Sequence, residues 1–284
     1  MDILEKALEK SGQDDNIEAR GAGAKVKATH DGSGGKANPH HKTVKIDWEQ
    51  LVEEGYLSRD QSLNISLVEE YRMIKRPLIN NAFGRGAHGI DKANLILITS
   101  SLPSEGKTFS AINLAISIAN ERDKNVLLID ADVAKPSIAK RLNIKSSPGL
   151  IEFLENDDIE FADICLKTDL PGLQIIPAGK RHAFSTELLS SDKMINFVDE
   201  LSQRYPDRLV IFDSPPLLAA TQAEVLASMV GQIVLVISAE TTMQSTVLEA
   251  LKKMETTDVI LALLNKSNQG LVMDYYGYGQ YGRK

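Results

Sequence analysis

Thr99-Ser-Ser-Leu-Pro-Ser-Glu-Gly-Lys-Thr108, TSSLPSEGKT, is the stretch that decides the fold. It follows NLILIT (94–99), a continuous apolar run suited to a strand buried on both faces, and it precedes SAINLAISIANE (110–121), whose apolar spacing is helical. Strand, loop and helix in that order form a phosphate loop: backbone N–H groups and the helix N-terminus cradle phosphate oxygens. Ser104, Glu105 and Gly106 build the loop and Phe109 opens the helix behind it. Lys107 is spaced to reach the β and γ oxygens, and Thr108 to offer its hydroxyl to Mg²⁺. Ser101 stands where the common pattern has its first glycine. A surface turn could carry Gly-Lys-Thr by chance; the strand before it and the helical pattern after it favour the phosphate loop.

Outward from the loop, further apolar runs recur: VLLID (126–130), LQIIPA (173–178), RLVIFD (208–213), QIVLVIS (232–238) and VILALLN (259–265). Helix-length segments separate them, among them MINFVDELSQRY (194–205) and TVLEALKKME (246–255). Alternating strand and helix predicts an α/β fold, P-loop NTPase-like, with a mostly parallel sheet flanked by helices and ligands at the carboxyl ends of the strands. Two of those ends carry acids: Asp130 and Asp132 after VLLI, and Asp213 after LVIF. Each acid alone could cap a helix or a turn. Together with the phosphate loop they predict a Mg²⁺-nucleotide site. Asn265-Lys266 ends the last strand, a place that resembles the one where related ATPases contact the base, with a simple turn as the alternative for Asn265.

Four segments are expected. Residues 1–45 are poor in large apolar side chains and read as a disordered N-terminal segment, so His30, His40 and His41 read as solvated linker residues rather than metal ligands. Residues 46–90 form a helical arm, with Pro77 expected to end or kink its second helix. Residues 91–267 are the P-loop domain, and 268–284 a tail that reads MDYYGYGQYGRK from Met273 and holds four of the seven tyrosines.

A net charge of −7 argues against a nucleic-acid-binding face. The lone Cys165 leaves no intramolecular disulfide and reads as a buried thiol. The start, MDILEKALEKSGQDD, lacks a signal-peptide core, and no run reaches membrane-spanning length, so a cytoplasmic protein is expected.

Asp130-Ala-Asp132 followed by Lys135-Pro136 resembles the extra Walker-type motif of bacterial tyrosine kinases, and Asp213-Ser-Pro-Pro216 resembles their Walker B. The partitioning ATPases carry a signature lysine five positions before the loop lysine; here that position is Leu102. EEYRMIKR (69–76) is similar to the family's oligomerisation helix, with Glu69, Arg72 and Lys75 at its charged positions, although Lys75 replaces the last arginine and Ala134 replaces the arginine of the family's Asp-x-Asp-x-Arg. The resemblance covers about residues 46–284 and is strongest to the soluble autokinases of exopolysaccharide loci. It implies ATP and Mg²⁺ as cofactors, with Lys107 stabilising the transferring phosphoryl group and Asp213 and Thr108 on the metal. Asp130 would activate the phenol and Asp132 would assist as a metal or positioning carboxylate; the reverse assignment of the two stays open. It further implies Tyr275, Tyr276, Tyr278 and Tyr281 as phosphoacceptors, presented in trans within a homo-oligomer. A separate membrane co-polymerase-type activator would hold the protein peripheral to the inner membrane, and a tyrosine phosphatase would oppose it. The competing expectation is a nucleotide switch or scaffold beside a membrane polysaccharide machine, without tyrosine transfer.

Overall fold

The computed structural model describes residues 43–84, 89–204 and 208–267. The linker histidines and the tail tyrosines lie outside them. Seven strands form one sheet: β1 (Leu95–Ser100), β2 (Asn125–Asp130), β3 (Leu166–Lys167), β4 (Leu173–Ile176), β5 (Arg208–Asp213), β6 (Gln232–Ser238) and β7 (Val259–Asn265). Their spatial order is β3-β4-β2-β5-β1-β6-β7, parallel throughout except for the β3–β4 pair. The six apolar runs of the sequence are the six long strands. The two-residue β3 carries no periodic signal and owes its place to pairing with β4.

The strands β1, β2 and β5 are buried on both faces because helices cover both. On one face, Leu97, Ile129, Val210 and Phe212 pack with Leu154, Met194 and Leu226; on the other, Ile96, Ile98, Leu128 and Ile211 pack with Ile112, Ala115 and Ile116. Full burial of each such side chain contributes about 1.5–3 kcal/mol relative to exposure, which is why the central strands tolerate no polar interruption before their ends.

The predicted arm is part of this second core. α1 (Trp48–Glu53) and α2 (Ile65–Phe83) deliver Leu51, Tyr56, Leu57, Val68, Tyr71 and Leu78 against α3 (Lys107–Ala119). Leu57 N–H donates to the buried Asn113 Oδ1 at 2.8 Å, and Trp48 Nε1 donates to Asp169 Oδ2 at 3.0 Å. Two boundaries are corrected. The folded part reaches back before Ile46, since Val44 bridges Thr168. Pro77 does not end α2, which runs unbroken to Phe83: Pro77 faces outward while Lys75 and Leu78 on either side are buried, and Gln232 Nε2 ties down the Leu78 carbonyl at 3.2 Å.

The same burial corrects the place of Lys75. Val68, Tyr71, Lys75 and Leu78 share the inward face at helical spacing, so Lys75 is buried and donates to the Ser117 carbonyl at 2.7 Å, with Glu121 as its ion partner at 2.7 Å. It is withdrawn from the exposed face that keeps Glu69 and Arg72, which pair with each other.

Candidate active site

Parallel pairing sets the floor of the site. Asp130 and Asp213 are Cα partners on the neighbouring ends of β2 and β5, and Asp213 is level with Ile98 of β1, from which the phosphate loop springs. Between their polar first residues and their terminal acids β2 and β5 are apolar throughout, and β1 turns polar only at Thr99, so all three strands bring polar side chains to the same carboxyl edge.

The loop itself is held by side chains. Ser104 and Gly106 both adopt positive φ, at 69° and 105°. Leu102 N–H donates to Glu105 Oε2 at 2.6 Å, and the Thr242 hydroxyl donates to the other oxygen of the same carboxylate. Asn265 Nδ2 donates to the Glu105 carbonyl at 2.8 Å and Lys266 Nζ to the Ser104 carbonyl at 2.6 Å, so the end of β7 braces the loop from behind. Gly106 is favoured on two counts: its φ lies in the left-handed region, and a Cβ there would come within 2.0 Å of Asn265 Nδ2 and displace that brace.

Lys107 Nζ bonds Asp132 Oδ2 at 2.7 Å, and the Thr108 hydroxyl donates to Asp213 Oδ2 at 2.7 Å. Asp130 Oδ2 accepts the backbone N–H groups of Ser137 and Ile138, both at 3.0 Å, where the short helix α4 (Ile138–Arg141) begins. Asp132 Oδ1 accepts the Lys135 N–H at 3.1 Å. Asp130 Oδ1 and Asp213 Oδ1 are buried without a hydrogen-bond partner. Burial pushes the carboxyls of Asp130 and Asp213 above the ordinary range, with the charges of Asp213 and Asp132 adding to it for Asp130 and that of Asp132 for Asp213. For Lys107, burial works against the charge, but the carboxylates of Asp213, Asp132 and Asp130 outweigh it and raise the pKa.

A cleft of about 570 Å³ opens over this floor, lined by Lys107, Thr108, Asp132, Lys135, Arg141 and Pro216 among others. The donor set fits Mg²⁺: a hydroxyl and hard carboxylate oxygens, two of them unpartnered. Among the described residues, no group of three or more His, Cys, Asp or Glu side chains forms a cage for a metal.

The site lies within residues 94–269, which match a family model described as an AAA domain. Tyrosine-protein kinase YwqD of Bacillus subtilis (strain 168) is 30% identical over 231 residues, covering 80% of this chain and 90% of that protein. The chain belongs to the AAA domain family and, within it, to the bacterial tyrosine kinases. The kinase domain of Escherichia coli tyrosine kinase ETK has a TM-score of 0.60 at 26% identity, covering 75% of this chain and 80% of that one. Tyrosine-protein kinase ptk of Acinetobacter johnsonii is 38% identical over 138 residues, 49% of this chain, and the chain spans only 18% of that relative.

In this chain, every phosphate-loop and carboxylate residue singled out in the sequence meets at one strand edge. Ser104, Gly106, Lys107, Thr108, Phe109 and Asp132 line the cleft; Asp130 and Asp213 lie beneath it. Asn265 stands behind the loop as a brace. Sequence reasoning missed Arg141, Tyr56, Glu54 and Ser137, whose hydroxyl lies 3.3 Å from that of Thr108. Lys140-Arg141 reads as ordinary helix surface, and only long-range packing carries Tyr56 to the ring of Phe109, 4.8 Å between centroids. Among the described residues, no helix is long and apolar enough to cross a membrane.

Proposed function

We propose that this chain is an ATP-dependent protein-tyrosine autokinase that phosphorylates its own tyrosine cluster, Tyr275, Tyr276, Tyr278 and Tyr281, and so regulates exopolysaccharide synthesis or export. The observation that carries the reading is the convergence of Lys107, Thr108, Asp130, Asp132 and Asp213 on one cleft, with one oxygen of Asp130 and one of Asp213 left unpartnered. Such a floor suits a phosphate chain with its cation.

In the proposed reaction the phenolic oxygen attacks the γ-phosphorus of ATP, the bond to the bridging oxygen breaks, and ADP leaves with that electron pair. The phenol, with a pKa near 10, is about one part in a thousand ionised at pH 7, so its proton needs an acceptor. Asp130 is the better of the two candidates, because its raised pKa brings it toward the working pH; Asp132, which lines the cleft, positions the phenol or supports the cation. Lys107 would leave Asp132 for the β and γ oxygens. Thr108 and Asp213 would hold Mg²⁺, and Asp132 could join them; when bound, the ion would neutralise charge on the transferring group. Asn265 would brace the loop and border the base.

Beyond Ser267 the ~17 remaining residues can span at most about 55 Å, enough to reach a neighbouring subunit. Four phosphotyrosines would add roughly −6 to −8 charges to the formal −7, and repulsion between tails would then drive subunits apart. Glu69 and Arg72 keep an exposed place for subunit contact on α2. A separate membrane co-polymerase-type protein would activate the kinase at the inner membrane, and a tyrosine phosphatase would reset it. Purified protein with Mg-ATP tests the reading: phosphotyrosine should appear in the parent, and neither in Lys107→Met nor in a chain ending at Met273. Nucleotide binding without phosphotyrosine, even with the activator's cytoplasmic peptide present, would leave the switch or scaffold.

A further inference from the structure

The cleft carries a cation that the phosphate loop does not account for. Arg141 closes α4 and lines the cleft, and its guanidinium lies over the Tyr56 ring with Cζ 5.9 Å from the centroid. Nη1 donates to Glu54 Oε2 at 3.2 Å, while Nε is buried with no hydrogen-bond partner. Tyr56 is 3% exposed, and its ring packs on Phe109 in the first turn of α3, the turn that carries Lys107 and Thr108. The guanidinium is therefore anchored, through one aromatic stack, to the helix turn that would face the phosphates. Its head stays accessible, since the side chain is 41% exposed. Its charge also reaches the floor of the site, where it helps oppose the burial of Asp213.

The remaining cleft wall offers little to match that charge. Lys107 belongs to the phosphate loop, with its own reach to the β and γ oxygens, and Ala134, Pro215 and Pro216 present no charge. Lys135 is exposed, and its ammonium sits on a flexible four-carbon stem. Arg141 alone combines a planar fork of donors with a fixed approach from two sides, the geometry that suits a phosphate's paired oxygens.

We propose that Arg141 is a catalytic residue of this subunit's own site: its guanidinium leaves Glu54 and binds the terminal phosphate of the bound nucleotide while that group is transferred. This rests on the ATP-dependent reading above. Glu54 and Tyr56 are positioning residues. The carboxylate holds the guanidinium until phosphate competes for it, and the ring fixes its plane. No bond forms to Arg141 and no proton passes through it; its N–H donors meet the charge spread over the phosphoryl oxygens as the phenolic O–P bond forms and the P–O bond to ADP breaks.

The consequence is a selective one: Arg141 should matter to triphosphate and hardly at all to diphosphate. The test uses the full chain with Mg²⁺ and measures three quantities: affinity for ADP, affinity for β,γ-imido-ATP, and the single-turnover rate of phosphotyrosine formation. For Arg141→Gln we expect ADP affinity within about twofold of the parent, analogue affinity about tenfold weaker and transfer about 100-fold slower, the scale of losing one charge-matched donor. Arg141→Lys should fall between, because the charge stays and the fork is lost. Glu54→Gln should tighten the analogue about threefold by removing the competing carboxylate. Parental transfer in Arg141→Gln, or equal loss of ADP and analogue binding, overturns the proposal; if Arg141→Gln does not fold, Arg141→Lys decides by the same criteria. A parent that transfers no phosphate overturns the kinase reading instead, and a parent that transfers while Arg141→Gln matches it overturns only this one.

Discussion

Glu152 and Asp130 are both acids drawn away from solvent, and the chain surrounds them in opposite ways. Glu152, on the helix α5 (Leu150–Glu155), receives the Ser147 hydroxyl at 2.7 Å, Gly149 N–H at 3.0 Å and Lys180 N–H at 3.1 Å. Burial works to raise its pKa, but those donors win and hold the carboxyl below the ordinary range. Asp130 receives two N–H groups on one oxygen and nothing on the other, faces Asp213 across the strand pair, and is pushed upward. One acid is finished by the fold and stabilises it. The other is left unfinished, at a cost to the fold, and that unfinished state is what a cation-bearing substrate can complete.

The comparison breaks most visibly at the cleft. Lys107→Met should lower phosphotyrosine formation by about 100- to 1000-fold, the scale of removing a principal charge-stabilising donor, in a single-turnover assay. Next comes Asp130→Asn, where activity and stability should move in opposite directions. Transfer should fall about 100-fold. The nucleotide-free protein should melt several degrees higher at neutral pH, because the neutral amide still accepts from Ser137 and Ile138 without charge repulsion from Asp213. The sign follows from linkage: a carboxyl whose folded-state pKa is raised holds its proton more tightly when folded. Its unfavourable contribution is absent below about pH 4 and grows as pH rises through the raised value. The melting difference between Asp130→Asn and the parent should therefore shrink toward zero as pH falls to about 4.

Much of this contrast was legible in the residues. LVIFD and VLLID place their acids one step past an apolar run, and parallel pairing needs only that β2 and β5 lie next to each other to bring Asp130 beside Asp213. Gly106-Lys107-Thr108 was legible for the same reason: its signal is local. Lys75 was legible too, since it falls in register with Val68, Tyr71 and Leu78; a charged side chain simply outweighed the periodicity in the reading. Arg141 was not. Its meaning depends on Glu54 and Tyr56, some 85 residues away, and on how α1 settles against α3. Nor was Glu152, because its donors come from two loops whose closeness no spacing encodes.

Glu152 gives the smaller but cleaner tests of the finished acid. Glu152→Gln turns one acceptor oxygen into a donor facing Ser147, Lys180 or Gly149, and should cost about 1–3 kcal/mol in urea unfolding at pH 7. Since the folded-state pKa of Glu152 is lowered, its contribution is present above the ordinary carboxylate range and lost as pH falls through the depressed value, so the cost should diminish in acid. Transfer activity should be untouched, because Glu152 is not among the residues lining the cleft.

Ser147→Ala sharpens the point further, removing one donor of three and leaving the carboxylate two backbone partners. The expected loss is about 0.5–1.5 kcal/mol. In the Glu152→Gln background the same change should cost almost nothing, because the charge-assisted bond it removes is already gone; equal costs in the two backgrounds would mean that Ser147 acts through the turn and not through Glu152. The surroundings favour the carboxylate account. Gly179 has a φ of 92°, and a Cβ there would lie 2.0 Å from Glu152 Oε2, so the backbone has been brought up to this carboxylate as closely as a residue without a side chain allows. Asp130 Oδ1 is instead buried without a hydrogen-bond partner, and the difference in melting response between the two acids is therefore a direct measure of which one the fold completes and which one it holds open.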